Sequence, residues 1–152
     1  MTSPIAPSRF FLLFLRVALA VGFLSAVADR LGLWGPPGTP GVAWGAWPPF
    51  VAYTAKLNFF APAPVVAALA VLATVAEIIL GVALLAGWWL RSTAALSALL
   101  LLAFAAAMTA SGNVKGALDY SVLTATAAAA LLAACSPDDA LARRVRKMIG
   151  RA

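Results

Sequence analysis

Four stretches of the chain are almost free of charged residues and long enough to cross a lipid bilayer. They cover approximately residues 10–31, 65–90, 93–111 and 118–135. A helix rises about 1.5 Å per residue, so roughly 20 apolar residues span the ~30 Å hydrocarbon core of a membrane. The pattern predicts an all-α integral membrane protein that forms a four-helix bundle in a single transmembrane domain.

The segment between the first two stretches, residues 34–64, is rich in glycine, proline and tryptophan. This composition excludes a spanning helix, and its tryptophans suit the headgroup region. After two consecutive prolines, aromatic and leucine residues recur at helical spacing: Phe50, Tyr53, Leu57 and Phe60. We expect a short interfacial helix in the first external loop, with a lid over a pocket as the alternative.

The composition agrees with a membrane protein. The chain has 152 residues, of which 64% are hydrophobic and only 11% are charged, which excludes an ordinary soluble domain and a disordered chain. The net charge is +6, and five of the eleven basic residues lie between Arg143 and Arg151, within a tail of residues 138–152. A basic tail beside an apolar segment indicates contact with membrane lipid and not with nucleic acid.

Several chemistries are excluded by the residues that the sequence lacks. Cys135 is the only cysteine and there is no histidine, so an internal disulfide, a CxxC redox pair and an imidazole-ligated metal or haem are excluded. No nucleotide-binding or serine-hydrolase motif occurs. We therefore expect no metal site and no covalent cofactor, and the sequence identifies no catalytic residue.

The basic residues predict the orientation. With both termini in the cytoplasm, Arg9, Arg91 and the five tail residues lie inside, whereas the outer loops hold Arg30, Lys56 and Lys115. This asymmetry satisfies the positive-inside rule. The first apolar stretch also resembles a secretory signal peptide, with the sequence AVA before Asp29, but we expect it to be retained as a spanning helix.

Glu77 lies near the middle of the second span, which is the most costly position for a carboxyl group. On a helical wheel it shares a face with small residues, whereas Leu72, Val75, Ile79 and Val82 lie opposite. The small-residue face is suited to helix packing: Ala70, Ala73, Thr74 and Gly81. An ionisable residue in a membrane helix costs about 2.5–3.5 kcal/mol on insertion scales. Glu77 is therefore either a structural polar anchor or part of ligand, proton or partner chemistry.

The first span contains two arginines, and Glu77 lies between their levels. Arg16 and Arg30 are nearly four helical turns apart and share one face. Counting from the inner boundary places Arg16 at roughly 10 Å, Glu77 at roughly 18 Å and Arg30 at roughly 31 Å. We therefore expect an Arg16–Glu77 pair. In the alternative, Arg16 extends to the cytoplasmic headgroups and Glu77 is protonated.

A second polar group is predicted where the third span turns into the fourth. It consists of Asn113, Lys115, Asp119 and Tyr120, in which Lys115 and Asp119 are spaced for an i,i+4 pair. One interpretation is a helix cap with an interfacial tyrosine. The other is the polar mouth of a pocket whose floor is Glu77.

Three segments resemble the DoxX family of small four-helix membrane proteins, and the resemblance covers nearly the whole chain. They are RVALAVGFLSAVADRLGL, EIILGVALLAGWWLR and KGALDYSVL, with Arg30 at a position where the family pattern usually has lysine. The resemblance implies a four-helix bundle in a bacterial plasma membrane and association with oxidoreductase systems. Relatives include the DoxD-type subunit of thiosulfate:quinone oxidoreductases and partners of redox-stress enzymes. The lack of a cysteine motif puts direct sulfur chemistry in doubt.

These observations lead to three hypotheses for function. The first is a DoxX-like membrane subunit that binds a lipophilic redox partner such as quinone, or anchors a soluble redox enzyme. Arg16 and Glu77 would then form the buried polar pair, with Tyr120 and Asp119 facing the head group. The second is a proton-coupled transporter that uses Glu77. The third is a structural or assembly subunit. Because alanine-rich helices allow close approach, we expect the fourth span either at the centre of the bundle or at a homo-oligomer contact.

Overall fold

The computed structural model describes residues 9–137, and this part of the chain is helical without strands. It contains six helices: α1 (Arg9–Arg30), α2 (Trp47–Leu57), α3 (Ala63–Ala86), α4 (Leu90–Ala110), α5 (Val114–Asp119) and α6 (Val122–Cys135). The predicted all-α class is thereby confirmed. The predicted basic tail, residues 138–152, lies outside the described residues.

Three of these helices, α1, α3 and α4, are long and apolar enough to cross a membrane. They coincide closely with the first three predicted spans. The second span was expected to continue to residue 90, but α3 ends at Ala86 because Gly87 adopts the left-handed conformation (φ 72°) that terminates a helix. Trp88 and Trp89 form the turn that leads into α4.

The fourth predicted span is divided in two. Ser121 adopts a left-handed conformation (φ 54°) between α5 and α6, so the helix expected over residues 118–135 is not continuous. The fourteen residues of α6 alone extend about 21 Å. This is shorter than the hydrocarbon core, so only α5 and α6 together approach the length of a span.

The apolar core lies where α1, α3, α4 and α6 meet. Its buried members are Leu19, Ala20, Phe23, Leu80, Leu84, Ala94, Ala129 and Leu132. Gly81 allows α1 and α3 to approach closely, since a Cβ at this position would lie 2.9 Å from Cγ of Leu24 and 3.4 Å from the carbonyl oxygen of Ala20. Helices that approach this closely gain extensive van der Waals contact, which is the main source of helix association in a membrane.

The wheel prediction for α3 is largely confirmed. Ala70, Thr74, Glu77 and Gly81 are buried and Ala73 is half-buried. The opposite face is exposed and consists of Leu72, Val75, Ile79 and Val82. The carboxyl group of Glu77 therefore points into the protein and the bulky side chains point away from it.

The register of α1 against α3 leaves part of α3 uncovered by α1. The two helices run antiparallel, with Leu24 beside Gly81 and Arg16 beside Gly87, so Arg30 at the end of α1 reaches only the level of Thr74. From Ala63 to Thr74, about 16 Å of α3 extends beyond α1. Residues 31–62, which we call the cap, follow α1 at this end, and α2 within the cap packs against α3.

Candidate functional site: a buried arginine–glutamate pair beneath the cap

Arg30 is the last residue of α1 and is only 2% exposed. Its Nη2 lies 2.7 Å from Oε2 of Glu77 on α3. Because each Cα–Cβ bond of a helix tilts toward the N-terminus, the side chain extends back along α1, and its Nε donates to the carbonyl oxygen of Ala26 at 3.1 Å. A residue at the helix end can thus reach a carboxyl group that lies one turn deeper.

Thr74 gives the guanidinium a second contact on α3. Nη1 of Arg30 donates to Oγ1 of Thr74 at 2.8 Å, and that hydroxyl donates to the carbonyl oxygen of Ala70 at 2.8 Å. Thr74 and Glu77 are three residues apart, so both side chains project from the same face of α3. Arg30 therefore binds α3 through two side chains on successive turns.

Two aromatic rings of the cap cover the guanidinium. Its central carbon lies 3.9 Å from the ring centroid of Phe50 on α2 and 5.3 Å from that of Trp44. The two rings also contact each other edge to face, with centroids 5.2 Å apart. Cation–π contacts in a site shielded from water contribute about 2 kcal/mol or more. The charge of Arg30 thus attaches the cap to the helices.

Asp29, the neighbour of Arg30, fixes the loop that precedes α2. Its carboxylate accepts hydrogen bonds from the backbone N–H groups of Ala43 (2.8 Å), Trp44 (2.9 Å) and Gly45 (2.9 Å). Gly45 has a positive φ of 65°, and a Cβ there would lie 2.5 Å from the backbone nitrogen of Pro37. Only glycine fits this turn without displacement, so three consecutive donors are held in one direction.

The pair is closed to a ligand. Glu77 is 3% exposed and Arg30 is 2% exposed, and Thr74, Phe50 and Trp44 contact the guanidinium. A buried charge that loses its partner costs about 3–5 kcal/mol, whereas a complete pair can be energetically close to neutral. The geometry therefore fixes the positions of α1, α3 and the cap relative to one another.

The expected Arg16–Glu77 pair is not formed, because Glu77 pairs with Arg30. Counting residues from the inner boundary placed Arg16 too close to the level of Glu77, by about the length of one arginine side chain. The count fails because sequence does not reveal the offset between two antiparallel helices. In the structure Arg16 lies beside Gly87, at the end of α3. Gly87 is ten residues beyond Glu77 along the chain, which corresponds to a rise of about 15 Å.

The polar group at the α4–α5 turn is a helix cap and not part of the Glu77 site. Oδ1 of Asn113 accepts from the backbone N–H of Gly116 at 3.0 Å. Lys115 and Asp119 form the predicted i,i+4 ion pair at the surface, and Tyr120 is 70% exposed. Among residues 9–137, no hydrogen bond or ion pair connects Lys115, Asp119 or Tyr120 with Glu77.

Tyr53 of α2 lies close to this turn. Burial raises the pKa of the Tyr53 hydroxyl above its usual value, and the Coulombic effect of Tyr120 adds to the shift, whereas a hydrogen bond with Asn113 opposes it. The cap therefore contacts the α4–α5 turn as well as α3.

Sequence reasoning missed the roles of Asp29, Trp44 and Phe50. The available signal was the Asp29-Arg30 dipeptide, which stands at the end of an apolar helix directly before a glycine- and proline-rich loop. An acidic residue in that position can accept hydrogen bonds from loop N–H groups, which have no helical partners. The aromatic partners of Arg30 depend on how the loop folds back, which no local pattern gives.

A separate apolar groove lies between α2 and the uncovered part of α3. It has a volume of about 700 Å³, and its walls include Trp47, Val51, Phe59, Val66 and Ala67. Arg30 and Glu77 are not among its lining residues. The groove can accommodate a hydrocarbon chain, but its lining offers little for polar recognition.

No cluster of three or more histidine, cysteine or acidic side chains suitable for a metal ion occurs in the part of the chain that the structure describes.

The comparisons with known proteins add no relatives. No family model matches the chain, and neither the curated proteins nor the solved structures contain a match.

Proposed function

We propose that the chain is a DoxX-like integral membrane subunit that anchors a soluble redox enzyme to the membrane through its cap. In this proposal α1, α3, α4 and the α5–α6 pair form a four-helix bundle, and α2 lies at the membrane surface. In this proposal the chain also has both termini in the cytoplasm of a bacterium, which the positive-inside bias favours, and the cap on the other side of the plasma membrane.

The observation that carries this proposal is the attachment of the cap. Asp29 fixes three consecutive loop N–H groups, and Arg30 binds Glu77 and Thr74 beneath the rings of Trp44 and Phe50. A loop held in this way presents a preformed surface, and a preformed surface loses less conformational entropy on binding a partner. The connection with oxidoreductases rests on the resemblance to the DoxX family.

Photo-crosslinking in the cells that make the protein tests the anchoring role. A crosslinking amino acid replaces Trp34 in the cap, which is 60% exposed, or Leu99 on α4, which is 62% exposed. We expect the cap position to capture one soluble oxidoreductase and the α4 position to capture none. Capture of the same proteins at both positions, or of none at the cap, would contradict the proposal.

Orientation can be tested separately. In a Cys135→Ser background, a Pro40→Cys substitution places a single thiol in the cap. A membrane-impermeant maleimide should label it in spheroplasts, where only the outer face of the plasma membrane is accessible. Labelling only in inverted vesicles would reverse the proposed topology.

Binding of a lipophilic redox partner such as quinone is the second candidate, and the apolar groove favours it. The groove can hold an isoprenoid tail, while Trp47 in its wall provides a fluorescence signal. Decylubiquinone should quench tryptophan fluorescence saturably. Ala67→Phe, which fills the groove, should abolish saturation, and Ala68→Phe on the same helix serves as the control. Equal quenching in both variants would reject this candidate.

The Arg30–Glu77 pair bears on the two remaining hypotheses, a proton-coupled transporter and a structural subunit. A proton-coupled transporter gains no support, since a permanently charged guanidinium 2.7 Å away competes with any cationic substrate for Glu77. If the protein is a purely structural subunit, the double variant Arg30→Met with Glu77→Leu should retain the cap crosslink and all activity. A homo-oligomer contact through α6 remains compatible with each of these roles.

A further inference from the structure

Arg16 is a cation without a partner in the described part of the chain. Its side chain is half-buried, its Nε is fully buried without a hydrogen-bond acceptor, and Arg16 forms no ion pair with a residue between 9 and 137. A guanidinium group has five N–H donors, and buried donors in native proteins almost always have acceptors. The position therefore requires an acceptor that the described helices do not supply.

The guanidinium of Arg16 lies beside Gly87, at the C-terminal end of α3. A Cβ built on Gly87 would lie only 2.7 Å from Nη1 of Arg16, which is too close for two such atoms. The glycine therefore makes room for the guanidinium beside the last turn of α3. Arg91 lies at the same end, and its Nη1 donates to the carbonyl oxygen of Ser136 at 3.4 Å. The described acidic residues lie elsewhere: Asp29, Glu77 and Asp119.

The depth of Arg16 corresponds to a membrane surface. Trp88 and Trp89 directly follow Gly87 and are 61% and 62% exposed. Tryptophans with this exposure at the end of a spanning helix are typical of the headgroup belt. If these tryptophans lie in the headgroup belt, Arg16 beside Gly87 lies at the level of the lipid phosphates.

We propose that Arg16, in the cleft between α1 and the Gly87 end of α3, binds the phosphate group of an anionic phospholipid. The planar fork of arginine matches two phosphate oxygens. Basic clefts between membrane helices are suited to such headgroups. Inorganic phosphate has the same chemistry and is the alternative source.

Lipid titration of the delipidated full-length protein tests this site. Phosphatidylglycerol, phosphatidylcholine and inorganic phosphate are added separately to protein in a neutral detergent, and binding is measured by native mass spectrometry. We expect saturable binding of one phosphatidylglycerol and weaker binding of the other two. Arg16→Gln should weaken binding about tenfold or more, since charge-assisted hydrogen bonds are lost. Arg16→Lys, which keeps the charge without the fork, should have intermediate affinity.

Matched controls separate this site from general electrostatic attraction. Arg9→Gln removes the same charge from an exposed position on α1 and should retain the wild-type affinity. Gly87→Ala and Gly112→Ala both place a side chain at positive φ, at 72° and 81°, but only the first collides with Arg16. Gly87→Ala should therefore reduce lipid affinity, and Gly112→Ala should not.

Three results would overturn the proposal. Equal affinity for phosphatidylglycerol and phosphatidylcholine would show that no anionic site exists. Unchanged binding in both Arg16 variants would assign the lipid to another residue. Inorganic phosphate binding as tightly as the lipid would identify a free-anion site instead.

Discussion

Arg16 and Arg30 occupy one face of α1, fourteen residues apart, yet their surroundings differ completely. Arg30 contacts a carboxylate, a hydroxyl, a backbone carbonyl and two aromatic rings. Arg16 has no such partner among the described residues, and its Nε is buried without an acceptor. The difference arises from the residues of α3 that lie beside each arginine. Glu77 and Thr74 lie beside Arg30, whereas Gly87, which has no side chain, follows the end of α3 beside Arg16. The same residue type thus has a full set of partners at one end of α1 and a buried Nε without an acceptor at the other.

The largest effect should come from leaving Arg30 without its counter-charge. Glu77→Leu buries an unpaired guanidinium, and we expect a loss of about 3–5 kcal/mol in the free energy of unfolding. Arg30→Met combined with Glu77→Leu should recover most of it, because both charges are removed. Unfolding in mixed micelles measures each variant. A double variant as unstable as Glu77→Leu would show that the pair is not the source of the effect.

Removing Asp29 should loosen the cap while the helices stay packed. Asp29→Ala leaves the N–H groups of residues 43–45 without an acceptor, at a cost of about 1–3 kcal/mol. Hydrogen exchange should then accelerate at residues 43–45 and remain slow in the middle of α4. Exchange that increases equally in both segments would mean that Asp29 stabilises the whole fold and not the cap alone.

A methyl group at Gly81 should disturb the contact on which the register of α1 and α3 depends. Gly81→Ala places a Cβ 2.9 Å from Leu24, and we expect a loss of about 1 kcal/mol, because the leucine side chain can partly move aside. Gly22→Ala is the matched helical control, since nothing lies within 4 Å of its Cβ. That variant should be neutral or slightly stabilising. Similar losses in both would exclude close packing as the cause.

The smallest effect is expected at the exposed ion pair of α5. Lys115→Gln should change the free energy of unfolding by less than about 0.5 kcal/mol, since exposed pairs contribute little. It also provides a reference for Glu77→Leu, because both substitutions remove one charge from an ion pair. A loss comparable to that of Glu77→Leu would mean that burial does not distinguish the two pairs.

The sequence by itself determined the helical class, three long apolar helices, the helix in the first loop and the buried face of α3. These features depend on local periodicity and composition, such as the small residues that recur around Glu77 and the two prolines that begin α2. The sequence also indicated that Glu77 requires a partner, because an isolated carboxylate in an apolar environment is too costly.

Only the tertiary structure decided which arginine is that partner. The choice depends on the offset between α1 and α3, which is set by the contact of Gly81 with Leu24 and Ala20 and not by any local pattern. The break at Ser121 and the aromatic cover of Arg30 are likewise consequences of packing. The sequence analysis favoured Arg16, but the relative position of the two helices brings Arg30 to Glu77 instead.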